Sequence, residues 1–572
     1  MDVSKAKFLL ENLLDRVETL DDGSKQLSGK ITENEYKALE IALTMLDGNS
    51  VRDESHEPLD IPDNTASLEQ IIAQPEQEPE LKPSEILLET SVLELPLPSQ
   101  NVRMCLDFGT AMSKATLVID HDGDDYEEIE VLKLGIPADQ EEVSEVMLIS
   151  SVYIDEEGKL WFGKQAQEEA KLQPQGSARQ QLSNIKRYLS EEGLNNRVSE
   201  NFNPTGIEIT YGELIVAYLT YFTWCINESM MLLDDSYPKN LKRRFAMPCL
   251  SDPLASEAEH RLRKYLGEAQ VLADTFADGI NTGIKLSEFL DALKQLRKKK
   301  FNYEFITDAI TEPLGVAGSL LGPETVTDML AMVIDVGAGT TDYSLYRIKV
   351  DPENDINTAF EVAGTSSCLT EAGNYLDKLL KAIIIREAEV PNDSGIRHII
   401  DWEIETNIRD YKETLFNEGE VFVFIRELNK EVTIDLQTFL SLPQVITFAD
   451  NLRTKMIEVM EKASRDFANW IVENPSRNLV VVLTGGGAEL PMVQDLAKGT
   501  LDAHGLQIPL APAKIFPTWL DEEHADLEEH YPRIAVALGG ARRRIIARGG
   551  ELTITGSSIP PKPFGVDFTT GR

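Results

Sequence analysis

The chain has 572 residues, an apolar fraction of 42% and a formal net charge of -42. That acidity opposes non-specific binding to nucleic acid or to anionic lipid, because both carry phosphate charge. No run approaches the ~18–20 apolar residues that span a bilayer, and the amino terminus becomes charged too early for a secretory leader, so no membrane insertion and a cytoplasmic location are expected.

The first segment, 1–48, reads as two short amphipathic helices. Phe8, Leu9, Leu13 and Leu14 recur at helical spacing, as do Tyr36, Leu39, Ile41, Ala42 and Leu46. Thr32 and Glu35 have the spacing of a capping box for the second helix. Between Val51 and Gln100 lie seven prolines, twelve acids and two bases. That composition cannot support a core, so 49–100 is expected to be a mostly disordered linker, with Leu68–Ile72 and Ile86–Leu95 as candidate docking motifs.

From Asn101 to about Arg548 strands and helices alternate, which predicts an α/β domain. VRMCLDFGTAMSKATLVI, 102–119, is a strand, an Asp-x-Gly-Thr turn and a second strand. MVIDVGAGTTDYSLYRI, 332–348, repeats the unit, with Asp335 standing where Asp107 stood. A repeated supersecondary unit implies two related lobes. In each turn the glycines (Gly109, Gly337, Gly339) let the backbone approach a ligand, and successive N–H groups form an anion-binding nest. Thr110 and Thr340 can add hydroxyl bonds to phosphate oxygens. Asp107 and Asp335 are hard oxygen ligands suited to Mg²⁺, directly or through its waters.

Between the hairpins, 272–301 reads as a helix with Leu286, Phe289, Leu290 and Leu293 on one face. Its Arg297-Lys298-Lys299-Lys300 run suits a helix carboxyl terminus; binding of an acidic partner is the alternative. Further on, LVVVLTGGGAELPMV, 479–493, is a buried strand ending in Gly485-Gly486-Gly487 before a helix, a place that suits a ribose and an α-phosphate. Cys105, Cys225, Cys249 and Cys368 are scattered and make no disulfide or zinc pattern. His524 and His530 read as part of an exposed acidic turn.

Taken in order, these segments resemble the Hsp70/actin ATPase superfamily, and within it the Hsp70 nucleotide-binding domain. DFGT, 107–110, and DVGAGTTD, 335–342, resemble the two phosphate motifs, and TGGGAELP, 484–491, the adenosine motif. ITEPLGVAG, 310–318, is similar to the connecting helix. The stretches 149–170 and SNIKRYL, 183–189, resemble the edge segment with its Lys-Arg. RFAMPCLSD, 244–252, resembles the proline-switch strand, TEAGNYLDKLL, 370–380, the Gly-Gly-Glu-Asp-Phe-Asp segment, and YPRIAVALGGA, 531–541, the final helix.

The resemblance implies a duplicated, ribonuclease H-like fold with two lobes around an ATP cleft: lobe I at about 101–330, lobe II at about 331–530, a return helix at 531–548 and a tail at 549–572. It implies that Asp107, Asp335 and Asp342 arrange a hydrated Mg²⁺, that Lys186 orients the attacking water, and that Glu312 holds the metal's water shell. Gly109, Thr110, Ala111, Met112, Gly337, Ala338, Gly339 and Thr340 would contact phosphates. Gly373, Lys412 and Gly485–Gly487 would line the nucleotide from lobe II, and Pro248 would relay nucleotide state. Lys114 follows Asp107 by seven, as an actin phosphate lysine does; a surface lysine is the alternative.

The sequence also departs from the Hsp70 pattern. Ala111 replaces a threonine, Arg409 a glutamate, Phe416 a serine and Glu489 an arginine, which puts the adenine contacts in question. No peptide-binding sandwich is expected after Arg548. The expectation is therefore a slow, Mg-dependent ATPase whose closure gates a protein partner or co-chaperone. An actin-like filament protein, a small-molecule kinase and a regulatory pseudo-ATPase remain open.

Overall fold

The computed structural model describes residues 86–542 apart from short stretches, together with the strands Val17–Thr19, Lys25–Leu27 and Ala547–Gly550. The chain divides into two units, Met1–Lys82 and Pro83–Arg572. In the first, Val17–Thr19 pairs antiparallel with Lys25–Leu27, between the two helices expected from sequence. Those helices, the capping box and the motif at 68–72 lie outside the described residues.

The second unit is a mixed α/β structure built on two main sheets. In one, the strand order is Ile306–Thr311, Arg243–Met247, Val102–Asp107, Met112–Asp120, Glu127–Val131. The first three are mutually parallel and the last two run antiparallel to their neighbours. In the other, the order is Leu506–Pro512, Leu479–Thr484, Thr327–Val336, Thr341–Asp351, Ile356–Val362. Again three parallel strands are followed by two antiparallel ones. Strand order, direction and chain order coincide, so each repeated hairpin occupies the same place in its own sheet. The second sheet is extended by Thr500–Ala503 at one edge and Ala547–Gly550 beside Ile356–Val362 at the other, and a short strand pairs beside each second hairpin strand, Leu148–Ile149 with Met112–Asp120 and Ser367–Leu369 with Thr341–Asp351.

Between the sheets run two helices, Glu312–Ser319 and Tyr531–Ala541. The second is shorter than the 531–548 expected from sequence. Their apolar side chains form one core with Cys105 and Val118 of the first sheet and Ala331, Val333 and Tyr346 of the second. The crossing is backbone on backbone: a Cβ on Gly318 would stand 3.0 Å from Gly539 O, and one on Gly315 would stand 2.5 Å from Val536 O. Small residues are needed there because any side chain would push the two helices apart.

Elsewhere helix Tyr211–Leu233, opened by a Thr210/Glu213 capping box, is buried nearly all round, as an apolar helix inside a core must be. The 272–301 segment is more than the one helix expected from sequence. It closes helix Leu254–Thr275, adds a two-residue strand, Ile284–Lys285, against Lys159–Phe162, and then forms helix Leu286–Lys299. Leu286, Phe289 and Leu293 are buried as expected from their spacing. Arg297 is not a free terminal charge; its guanidinium makes two 3.0 Å bonds to Glu268.

Residues 86–96, which composition assigns to the linker, pack onto the first sheet's core. Leu88 and Val92 are buried. The Glu89 amide donates to Thr275 Oγ1 at 3.0 Å, and Asn240 Nδ2 donates to the carbonyls of Leu95 and Pro96 at 3.3 and 2.9 Å. His524, expected in an exposed turn, is buried.

Candidate nucleotide-phosphate site

Each hairpin turn is set by a local constraint. At the first, a Cβ on Gly109 would collide with the Met112 carbonyl, so only glycine closes this turn. At the second, the Gly337 amide donates to Thr340 O at 2.9 Å. The two turns meet: a Cβ on Gly339 would lie 3.2 Å from both Thr110 Cγ2 and Oγ1. Residues 109–112 and 337–340 are all half-buried, open enough for their backbone to face a ligand.

The ladders put equivalent residues opposite one another. Asp107 pairs with Lys114 in the first hairpin, and Asp335 with Asp342 in the second. Lys114 is therefore the repeat equivalent of Asp342. Its ammonium points inward, 3.1 Å from Asp107 Oδ2.

Around the meeting turns the structure gathers four buried carboxylates and two lysines. Asp107, Asp335, Asp342, Glu312 and Lys186 are each less than a tenth exposed. Lys186, on the short turn Ile185–Leu189, is ion-paired with Glu312 at the start of the connecting helix. Burial opposes the Lys186 ammonium, but Glu312, Asp107 and Asp342 more than offset it, and its pKa is raised. Burial pushes Asp335 well above the usual carboxylate range, and the charges of Glu312, Asp342 and Asp107 add to that. Burial and Glu312 raise Asp342 to about 7, against bonds from the Cys249 amide (2.9 Å) and Thr340 Oγ1 (2.8 Å) that favour its charged form. The contacts tie the groups together: Lys114 meets Asp107, Lys186 meets Glu312, and Asp335 stands opposite Asp342 in the ladder. When all are ionised the four carboxylates outnumber the two lysines, a balance that suits a hydrated divalent cation. Among the described residues no three His, Cys, Asp or Glu side chains converge closely enough to hold a metal directly.

The expected second-sheet residues lie along one path from these turns. The Gly373 and Asn374 amides donate to Gly337 O and Ala338 O at 3.1 and 2.8 Å, so they brace the turn. Lys412, on helix Arg397–Glu418, bonds Gly373 O at 3.2 Å and pairs with Asp377 at 2.6 Å. Gly485 has φ +83°, and a Cβ there would stand 2.5 Å from Val336 O. Gly487 donates to Val336 O at 2.9 Å, whereas Gly486 is exposed, with open space where a Cβ would be. No helix starts at the triplet; the next begins at Pro491 and spans four residues, so no helix dipole points at this turn.

At the positions where the sequence departs from the Hsp70 pattern, Phe416 packs edge-on against Phe439 (6.0 Å between centroids), Arg409 faces Glu413 at 3.7 Å, and Glu489 is exposed. A groove of about 290 Å³ runs between elements of the two halves, lined by Lys171, Trp402, Asn407 and Arg426.

Several supporting residues were not foreseen. Ser150 braces the first turn: its hydroxyl donates to Gly109 O at 2.8 Å and its amide to Ala111 O at 2.9 Å. Ser113 and Tyr218 extend this into a buried hydroxyl cluster, with Tyr218 OH 2.9 Å from Ser113 Oγ. The Cys249 amide, directly after Pro248, ties the end of a first-sheet strand to Asp342 of the second sheet. Only Ser113 carried a sequence signal, through strand alternation.

Comparison with known proteins gives a partial match. The chain is similar to the chaperone protein dnaK1 of Prochlorococcus marinus subsp. pastoris, at 24% identity over 262 residues. The match covers 41% of this chain and 35% of the relative, so the chain spans about a third of the length of the curated protein it matches. No family model matches. Likeness to a DnaK protein over part of the chain marks an Hsp70-like relationship at this level and no finer one. No helix among the described residues is long and apolar enough to cross a membrane.

Proposed function

We propose that this chain is an Hsp70-like protein that binds Mg-ATP between its two sheets, hydrolyses it slowly, and presents a surface to a protein partner according to nucleotide state. The observation that carries the reading is the meeting of two glycine-threonine turns, Thr110 against Gly339, beside a single cluster of buried acids and lysines. The partial likeness to a DnaK chaperone supports it.

In this reading the turn amides cradle phosphate oxygens and Thr110 and Thr340 donate to them. Lys114 leaves Asp107 to meet phosphate charge, and Lys186 holds the water and neutralises charge developing on the γ-phosphate. Asp107, Asp335 and Asp342, with Glu312, fit Mg²⁺ kept in its water shell, which would neutralise phosphate charge. The Cys249–Asp342 bond gives the Pro248 segment a direct report of the site. The two lobes of an actin-like fold would close about the phosphates, and hinge closure is the ordinary output of such a cleft.

The test is phosphate release from ATP and Mg²⁺ with no acceptor added. Slow steady release supports the ATPase reading. Release that needs an added acceptor would make the protein a kinase, and ATP binding without release a pseudo-ATPase.

A further inference from the structure

The hairpin formed by Glu420–Ile425 and Lys430–Asp435 has one covered side. Val421, Val423, Ile425, Val432 and Ile434 are buried and belong to the core that includes Ile400, Ile404 and Leu415 of helix Arg397–Glu418. The register opposes Glu420 to Asp435, Phe422 to Thr433 and Phe424 to Glu431. Side chains alternate along a strand and directly opposed residues share a face, so all six project outward together. All six are exposed, Phe422 by 58% and Phe424 by 53%.

This face combines two solvent-exposed phenyl rings with three carboxylates and carries no base of its own. The two basic residues of the hairpin pair elsewhere, Lys430 with Glu389 at 2.9 Å and Arg426 with Glu403 at 3.7 Å. Neighbouring aromatic side chains left in water mark an interaction surface. The surrounding charge selects what can cover them.

We propose that this face docks a partner protein through a basic, apolar-flanked segment. Lysine or arginine heads reach Glu420, Glu431 and Asp435, while their stems and adjacent apolar groups cover Phe422 and Phe424. The chemistry is complementary at both ends: cations are attracted to ring faces as well as to carboxylates, and long basic side chains bury their methylenes on apolar surface. The same carboxylates repel nucleic acid and anionic membranes. A second copy is disfavoured because it carries a net charge of -42. The docking stands or falls independently of nucleotide binding.

The test uses the full chain and a fluorescent synthetic peptide of about 18 residues, with lysine and leucine at amphipathic helical spacing. Anisotropy is read from about 0.05 to 0.5 M salt. Phe422→Ser/Phe424→Ser leaves the net charge unchanged and is expected to weaken binding about tenfold or more. Glu420→Gln/Glu431→Gln is expected to weaken binding and flatten its salt dependence. Equal affinity of the wild type and the serine variant would overturn the proposal, since bulk charge would then explain the binding. It is also overturned if sedimentation shows wild-type self-association that the serine variant abolishes, because the occupant would then be a second copy. ATP titration of both variants should match wild type, so a failure here leaves the nucleotide reading intact.

Discussion

Lys186→Met is expected to lower phosphate release by about 10²–10³-fold while ATP affinity stays within about tenfold of wild type. The side chain is 6% exposed and ion-paired with Glu312, and its pKa is raised by Glu312, Asp107 and Asp342 in spite of burial. It is therefore a fixed positive charge aimed into the acidic cluster, worth most where charge develops during reaction. Removing it has a second consequence. Glu312 is left buried and unpaired, and breaking a buried ion pair costs about 3–5 kcal/mol, so the nucleotide-free variant should melt earlier. Lys186→Met/Glu312→Gln should recover much of that stability and none of the turnover. Two-variant melting and phosphate release thus separate a catalytic lysine from a merely structural one; full turnover in Lys186→Met would remove its assigned role.

Asp342→Asn should raise the melting temperature of the metal- and nucleotide-free protein at pH 8 and flatten its dependence on pH. Burial, followed by the charge of Glu312, holds Asp342 at about 7 against an ordinary value of 3.8. Between those values the native state binds the proton that the unfolded chain has released. Stability from this group is therefore present at acidic pH and lost as pH rises toward and through about 7. Wild type should melt lower at about pH 8 than at about pH 5.5, with Asp342 itself accounting for ~1.4 kcal/mol at most for each pH unit crossed in that window. Asparagine keeps an acceptor for the Cys249 amide and removes the buried charge. Added Mg-ATP should flatten the wild-type curve as well, by neutralising the same cluster. A wild-type curve as flat as that of the variant without ligand would show that Asp342 does not feel the cluster.

What was legible in the sequence follows from how local the constraint is. The Asp-Gly-Thr turns could be read because glycine geometry and strand pairing act within about ten residues. Even the Lys114/Asp342 equivalence is written there, since each follows its strand-end aspartate by seven residues. Lys186 and Glu312 reached the same cluster only through family likeness; nothing near either residue says that they touch. Ser150, Tyr218 and the Cys249 amide were missed because their partners come from distant segments.

For 86–96 composition and pattern point different ways. A window rich in proline and acids places it in the linker, while its apolar residues make Ile86–Leu95 a candidate docking motif; Leu88 and Val92 dock on a core built by other segments of the same chain. Phe416 shows the opposite limit. Sequence marked it as an altered nucleotide contact, and only packing showed its ring turned to Phe439. The outward pair Phe422 and Phe424 looks in sequence like any buried strand, because periodicity gives alternation without saying which side is covered.

The most direct test of the account is calorimetric titration of ATP with Mg²⁺ into the wild-type chain and into Gly339→Val, whose new side chain would wedge between the turns at Thr110. One saturable site in wild type, weakened about tenfold or more in the variant, is the predicted result. Absence of binding to the wild type, or equal binding to both, would contradict the claim that the two hairpins share one phosphate site.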